Sequence, residues 1–330
     1  IEDGVTSIPQ KAFNNCKNLK SIEIADSVTT IGTSAFVNCS ALESVTLPSQ
    51  LKRIEETTFS GCTSLQMVTL PQALTYIGKS AFYQCSSLAG ELVIPANVRN
   101  IETSAFYYCS KITGLSIPAH INFTTYEGKN AFDRCTGLRE VRITGSGAMG
   151  MYEANYLPWK SAKQVVIEEG VTSVSANAFS GCSLVSIVIP KSVTTIGNSA
   201  FLRCNSLNVV SYGGTEAQWN AISIGSSNTS LTDAVRSYNG ETVQSGSMGA
   251  GNEVRWMYFD ASKEVRVSGQ VNAEMPVYCV GYKGDQVVSV QCITASGGSA
   301  TVHPSADSVK LFRVDVNWIP LSEAALIPQI

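Results

Sequence analysis

Eight times before residue 213 the chain repeats one short string, a Phe followed three residues later by Cys. The Phe positions are Phe13, Phe36, Phe59, Phe82, Phe106, Phe132, Phe179 and Phe201, and the Cys positions run from Cys16 to Cys204. One full copy reads Ala35-Phe36-Val37-Asn38-Cys39-Ser40-Ala41-Leu42, then Val45-Thr46-Leu47-Pro48. A fixed period of this size predicts coils that stack, because one repeat cannot bury its apolar face alone. The last apolar residues of the extended pieces are Ile24, Leu47, Leu70, Ile94, Ile117, Ile143, Ile167, Ile189 and Tyr212. Their intervals are 23, 23, 24, 23, 26, 24, 22 and 23, which gives nine rungs.

Each coil reads as two short strands and a compact turn. In Ser21-Ile22-Glu23-Ile24 the alternation sends Ile22 and Ile24 inward and Ser21 and Glu23 outward. Pro48, Pro71, Pro95, Pro118 and Pro190 close the equivalent strands, since Pro brings no ladder donor. Val28-Thr29-Thr30-Ile31-Gly32 supplies the second strand and a turn glycine. Thr33-Ser34-Ala35-Phe36 is expected to begin a single helical turn with Ser or Thr as its cap. Each Phe should fill the centre of its coil, worth about 1.5–3 kcal/mol when fully buried.

One rung departs from the pattern. Between Thr144 and Lys163 the usual turn is replaced by Gly145-Ser146-Gly147-Ala148-Met149-Gly150 and Tyr156-Leu157-Pro158-Trp159, while the strand interval stays at 24. This is one rung with its outer side rebuilt, not an inserted domain. Trp159 either fills the place of the missing Phe or belongs to an exposed aromatic recognition loop.

The formal charge of −3 and the lack of a Lys/Arg cluster argue against nucleic acid as a partner. No apolar run reaches the roughly 18 residues of a membrane helix. Ile1 to Ile8 nearly copies Ile167 to Val174, so the sequence is expected to start inside a longer protein. Eight of the ten cysteines hold one repeat position and stack about 4.7–4.9 Å apart. That recurrence favours reduced, buried thiols acting as small hydrophobes. The absence of Cys-x-x-Cys, with only His120 and His303, argues against a metal site. No cofactor is implied.

After Tyr212 the repeat stops, and Thr215 to Ile222 has a cap and then helical spacing. Residues 213–240 are expected to cap the solenoid, which makes 1–240 one domain. Residues 241–252, rich in Ser and Gly, read as a linker. Residues 253–330 read as a small all-β, immunoglobulin-like sandwich module. Its candidate strands are Val254–Phe259, Glu264–Ser268, Met275–Tyr282, Gln286–Thr294 and Val309–Val316. A turn centred on Lys283-Gly284 would set Cys279 opposite Val288, which disfavours a bond to Cys292.

The repeats resemble BspA-like leucine-rich repeats, found in surface proteins of bacteria and some protists. The resemblance is carried by Ala-Phe-x-x-Cys-x-x-Leu at Ala35–Leu42, Ala81–Leu88 and Ala200–Leu207, and by Val-Thr-x-Ile-Gly at Val28–Gly32 and Val193–Gly197. It covers residues 1 to about 240. Thr58 for Ala before Phe59, and Leu184 one residue early after Cys182, are local departures. Gly213–Asn239 and, more weakly, Ser308–Phe312 also resemble modules of gut Firmicutes surface proteins. The resemblance implies a right-handed, mainly β leucine-rich-repeat solenoid. It also implies a secreted or wall-associated protein that binds a protein or glycan, with host adhesion the usual proposal. It carries no catalytic residues.

A non-catalytic adhesion scaffold is therefore the expectation, with a structural spacer as the alternative and an accessory region of a secreted hydrolase as the remote one. No G-x-S-x-G, H-E-x-x-H or phosphate-cradling loop occurs. Rung-to-rung alternation places Arg142, Val166 and Val188 in one outer row and Val209 in its neighbour. These four, with Tyr152, Tyr156 and Trp159 from the rebuilt rung, form the candidate contact surface. Val suits any strand, so the apolar row is equally explained by β propensity alone.

Overall fold

The computed structural model describes residues 1–124, 128–239, 243–248, 254–259, 264–269, 277–283, 286–294, 299–301, 308–314 and 320–327. It comprises two compact units, Ile1–Leu207 with Glu216–Asp233, and Asn208–Thr215 with Ala234–Ile330.

The first unit is a parallel β-solenoid. Its front ladder runs through Ser21–Glu23, Ser44–Thr46, a bridge at Met67, Gly90–Val93, Ile112–Pro118, Glu140–Thr144, Gln164–Ile167 and Ser186–Ile189. The registers reproduce the rows read from sequence: Val93 pairs with Ser116, Ser116 with Arg142, Arg142 with Val166 and Val166 with Val188. A back ladder starts at Ser7–Ile8 and Thr30–Ile31 and ends at Thr195–Ile196 and Ser223–Ile224. The coil at Phe123 joins the back ladder through a bridge to Tyr152. Counted along this side there are ten coils, because Ser223–Ile224 pairs onto Thr195–Ile196 as a further rung.

The turn that carries each Phe is not helical. Ser34 and Asn38 have φ of 58° and 60°, in the left-handed region, and successive amides point in opposite directions. Ala35, Val37 and Cys39 donate back to the carbonyls of Gly32, Ser34 and Phe36, at 3.1, 3.2 and 3.2 Å. Ser34, Phe36 and Asn38 instead donate across to Glu56, Thr58 and Ser60 of the next coil, at 3.0, 2.9 and 2.7 Å. A helical turn would aim every amide along its own axis and leave the coils unjoined here. Thr58, which replaces the usual Ala, is buried with its hydroxyl donating 2.8 Å to the Glu55 carbonyl. Leu184 is fully buried despite its shift.

Gly32 is needed for close approach, not for a turn. A Cβ there would lie 2.5 Å from the Gln10 amide nitrogen of the preceding coil, and one at Gly78 would lie 2.7 Å from the Glu56 amide nitrogen.

Inside, the Phe rings form a column. Phe13, Phe36, Phe59, Phe82, Phe106 and Phe132 stack with centroids 5.0 to 5.3 Å apart and planes within 14°. That spacing is nearly the strand separation of about 4.7–4.9 Å, so coil rise dictates the stack. The cysteines line its edge as free thiols. Each buried thiol from Cys39 to Cys135 donates to a Phe carbonyl one coil back, for example Cys62 to Phe36 and Cys85 to Phe59, both at 3.2 Å. Burial pushes these thiols up, Cys62 to about 12 and Cys39 to about 11.

The solenoid's far end is closed by Asn228, which is 4% exposed. Its Oδ1 accepts the Phe201 amide at 2.9 Å, the bond that a further coil would otherwise take. Its Nδ2 donates to the carbonyls of Gly197 and Gly225 at 2.9 and 2.8 Å.

The second unit opens with Val209–Tyr212 paired in parallel to Val235–Ser237. Two antiparallel four-stranded sheets follow, so the all-β expectation holds. One orders Val243–Met248, Val254–Phe259, Glu264–Gly269 and Ser299–Thr301, and the other Gln286–Ile293, Val277–Lys283, Ser308–Val314 and Pro320–Ile327. The linker expected over 241–252 is corrected at Val243–Met248, a strand whose ladder with Val254–Phe259 satisfies its backbone despite the Ser/Gly composition. Ser299–Thr301 and Pro320–Ile327 are further strands beyond those expected. The hairpin register is also corrected. Lys283 pairs with Gln286, and a bulge at Gly281/Tyr282 sets Cys279 opposite Gln291 and Cys292 opposite Tyr278. Cys279 is buried and Cys292 exposed, and both are free thiols.

Candidate binding surface

The outer side of the front ladder carries two neighbouring rows of side chains, each held at one per coil by strand register. Over the first four coils it is open. Glu23, Thr46 and Thr69 are exposed, as are Met67 and Val93, at 69% and 51%. Met67 and Val93 are the large apolar side chains exposed on this open stretch of the ladder.

At the fifth coil one row is cut by a notch that sequence reading missed. Glu91, Gly114 and Glu140 are neighbours in register. A Cβ on Gly114 would come 3.3 Å from the Glu91 Cβ, so the missing side chain leaves a tight floor between two carboxylates. With Thr113, Arg139 and Arg142 they enclose about 410 Å³. Arg142 bridges Glu140 at 3.3 Å and Glu168 at 3.6 Å, pairs exposed enough to be worth only about 0–1 kcal/mol each. The one small residue between two glutamates in the row was the available signal.

The sequence-derived contact surface is only partly assembled. Arg142, Val166 and Val188 are adjacent in register, and all three are half-buried. Val209 is 4% exposed, with Val210 beside it fully buried, so both sides of that strand are covered and alternation no longer predicts exposure. Tyr152 and Trp159 are interior too, at 6% and 0%. Of the aromatic trio only Tyr156 is partly exposed, with the Lys129 Nζ 5.7 Å above its ring.

Trp159 does take the place of the missing Phe. Its ring lies 5.7 Å from Phe179, and edge-on to Phe123 at 5.8 Å. Its Nε1–H donates 2.7 Å to the Ala178 carbonyl. In regular coils the corresponding bond comes from the Phe amide, as from Phe179 to Ala200 at 2.7 Å. Tyr152 packs 5.3 Å from Trp159, and its hydroxyl donates 3.3 Å to the Ala119 carbonyl. Burial pushes that phenol up.

On its other side the rebuilt coil leaves a cavity of about 310 Å³ against the sixth coil, whose lining includes Asn130, Phe132, Arg134, Thr136, Tyr156 and Lys160. Among the described residues no group of three or more His, Cys, Asp or Glu could hold a metal ion. His120 Nε2 lies 2.8 Å from the Val98 carbonyl oxygen, a structural contact. No helix among the described residues is long and apolar enough to cross a membrane.

Parallel ladders, a stacked Phe column and turns bonded coil to coil define a leucine-rich-repeat β-solenoid. A family model for the BspA type leucine-rich repeat region matches residues 1–113, 89–208 and 128–239. The chain belongs to that family. Among solved structures it is similar to a leucine-rich repeat protein from Bacteroides ovatus, at 26% identity over 63% of this chain and 59% of that one, with a TM-score of 0.41. It is also similar to a leucine-rich cell surface protein from Faecalibacterium prausnitzii, at 26% identity over 66% and 86%, TM-score 0.25. A leucine-rich repeat protein of T. pallidum is 24% identical over 67% and 78%, TM-score 0.32. The chain thus spans 59% of the length of the B. ovatus protein. No curated protein matches the chain.

Proposed function

We propose that this chain is a non-catalytic scaffold that binds a protein or glycan partner through the outer face of its front ladder, outside the cell or at its surface. The observation that carries the reading is the open outer face over coils one to four, where Met67 in one row and Val93 in its neighbour stand exposed among polar side chains. Register fixes the spacing of each row at one side chain per coil, so an extended partner meets a rigid surface and little ordering entropy is lost. The extracellular setting comes from the family resemblance.

The test is an array of proteins and glycans probed with the intact chain, followed by a Met67→Lys/Val93→Lys double variant. Loss of a hit in this variant supports the open stretch as the contact face. The same hit lost only in a Val166→Lys/Val188→Lys variant would move the contact to the half-buried coils. No hit on either array refutes the binding reading in favour of a spacer.

A further inference from the structure

The join between coils six and seven breaks a rule that the regular turns obey. From coil five to coil six the three alternate amides Ser104, Phe106 and Tyr108 donate to the carbonyls of Lys129, Ala131 and Asp133, at 3.0, 2.7 and 2.9 Å. Coil six repeats the same backbone, with Asn130 and Arg134 at φ of 54° and 63°, so its amides point onward in the same way. Coil seven offers no matching carbonyls, because its turn is rebuilt. The Arg134 amide is taken by the Asp133 Oδ1 at 2.9 Å. Among the described residues, the amides of Asn130 and Phe132 have no acceptor.

Both residues line the cavity of about 310 Å³ between the coils. Two amides two residues apart, both pointing onward and without an acceptor among the described residues, give the cavity a pair of backbone donors. The rim adds two cations, Arg134 and Lys160, neither in an ion pair with any described residue. Among the described residues Lys160 Nζ donates to the Asn155 carbonyl, at 3.3 Å. Asp133 is the one carboxylate of the lining, and the Arg134 amide already engages it. Tyr156 supplies one flat wall.

We propose that this cavity binds a carboxylate, with the unpaired amides of Asn130 and Phe132 donating to its oxygens and Arg134 and Lys160 balancing its charge. A carboxylate fits better than a neutral acceptor. It offers two oxygens to donors two residues apart, and charge-assisted bonds are about twice as strong as neutral ones. The acid can come from an acidic sugar or an acidic peptide side chain. The site stands whether or not the front ladder binds a partner.

The experiment is an amide-resolved NMR titration of the intact chain with glucuronate, with an N-acetylated, C-amidated glutamate, and with the methyl ester of each. The expected result is saturable downfield shifts of the Asn130 and Phe132 amides with an acid and none with its ester. An Arg134→Gln/Lys160→Gln variant, both positions being exposed, should keep the rest of the spectrum and bind about tenfold more weakly. The tighter of the two acids identifies the source of the ligand. Absence of saturable shifts with either acid, equal shifts with acid and ester, or unchanged affinity in the charge variant would each overturn the proposal.

Discussion

In the second coil Phe36 enters the core from a tight turn, and its amide donates to Thr58 at 2.9 Å. In the seventh, Trp159 fills the core while its indole donates to Ala178 at 2.7 Å. The regular turn supplies a ring, a donor to the coil ahead and carbonyls for the coil behind. The rebuilt turn supplies the first two and omits the third. A solenoid therefore tolerates a foreign coil as long as the ring and forward bond are kept, and the omission surfaces as unpaired amides on the coil behind.

The largest contrast between the two kinds of coil should appear in alkali. The Phe-bearing coils from Cys39 onward carry buried thiols and the rebuilt coil carries none. Burial lifts Cys39 and Cys204 from 9.0 to about 11, and Cys62 and Cys135 to about 12. Cys85, Cys109 and Cys182 are raised well above the ordinary value. The folded chain holds these protons more tightly than the unfolded one. Their contribution is thus complete below pH 9.0 and is lost as pH rises through about 11 to 12. Denaturant midpoints should be flat up to about pH 9 and then fall progressively to about pH 12. Replacing Cys62 and Cys85 together by Ala should make the fall shallower, since the remaining buried thiols keep its onset.

Next in size is Phe82→Ala, which removes a fully buried ring from the column. It should destabilise by about 3–5 kcal/mol, read from denaturant unfolding. Trp159→Phe keeps a ring but strands the Ala178 carbonyl, and Asn228→Ala strands the Phe201 amide. Each should cost about 1–3 kcal/mol. If Trp159→Phe were neutral, the indole bond would be incidental and only the ring would matter. Smallest is Thr69→Ala on the open row, expected within about 0.5 kcal/mol. Parity between Thr69→Ala and Phe82→Ala would reverse inside and outside.

The repeat period alone made the ladders, their register and the Phe column legible, because a residue spacing of 23 with one Phe per period leaves few ways to bury the rings. The conformation of the turn was not legible. Lys11, Ser34, Thr57, Ser80 and Ser104 all take positive φ without being glycine, since the bonds to the next coil hold them there. Their Ser/Thr content instead suggested a helix cap. Gly32 was visible as a special position, but its reason, a backbone one coil away, needed coordinates. Val209 looked outward by alternation, which carries no information about what lies on the outer side. Of the candidate surface, sequence gave the row and missed both cavities. Each depends on something lacking, a side chain at Gly114 or a carbonyl ahead of Phe132.

Amide hydrogen exchange tests the central claim most directly, because it reads each coil-to-coil bond by itself. Phe82, Phe106 and Phe179, whose amides donate to the next coil, should exchange slowly. Phe201, held by Asn228, should exchange slowly as well. Phe132, equally buried but facing the rebuilt coil, should exchange faster than all four, with Asn130 beside it. Protection of Phe132 equal to that of Phe106 would mean that coil seven does provide an acceptor, and would contradict the account.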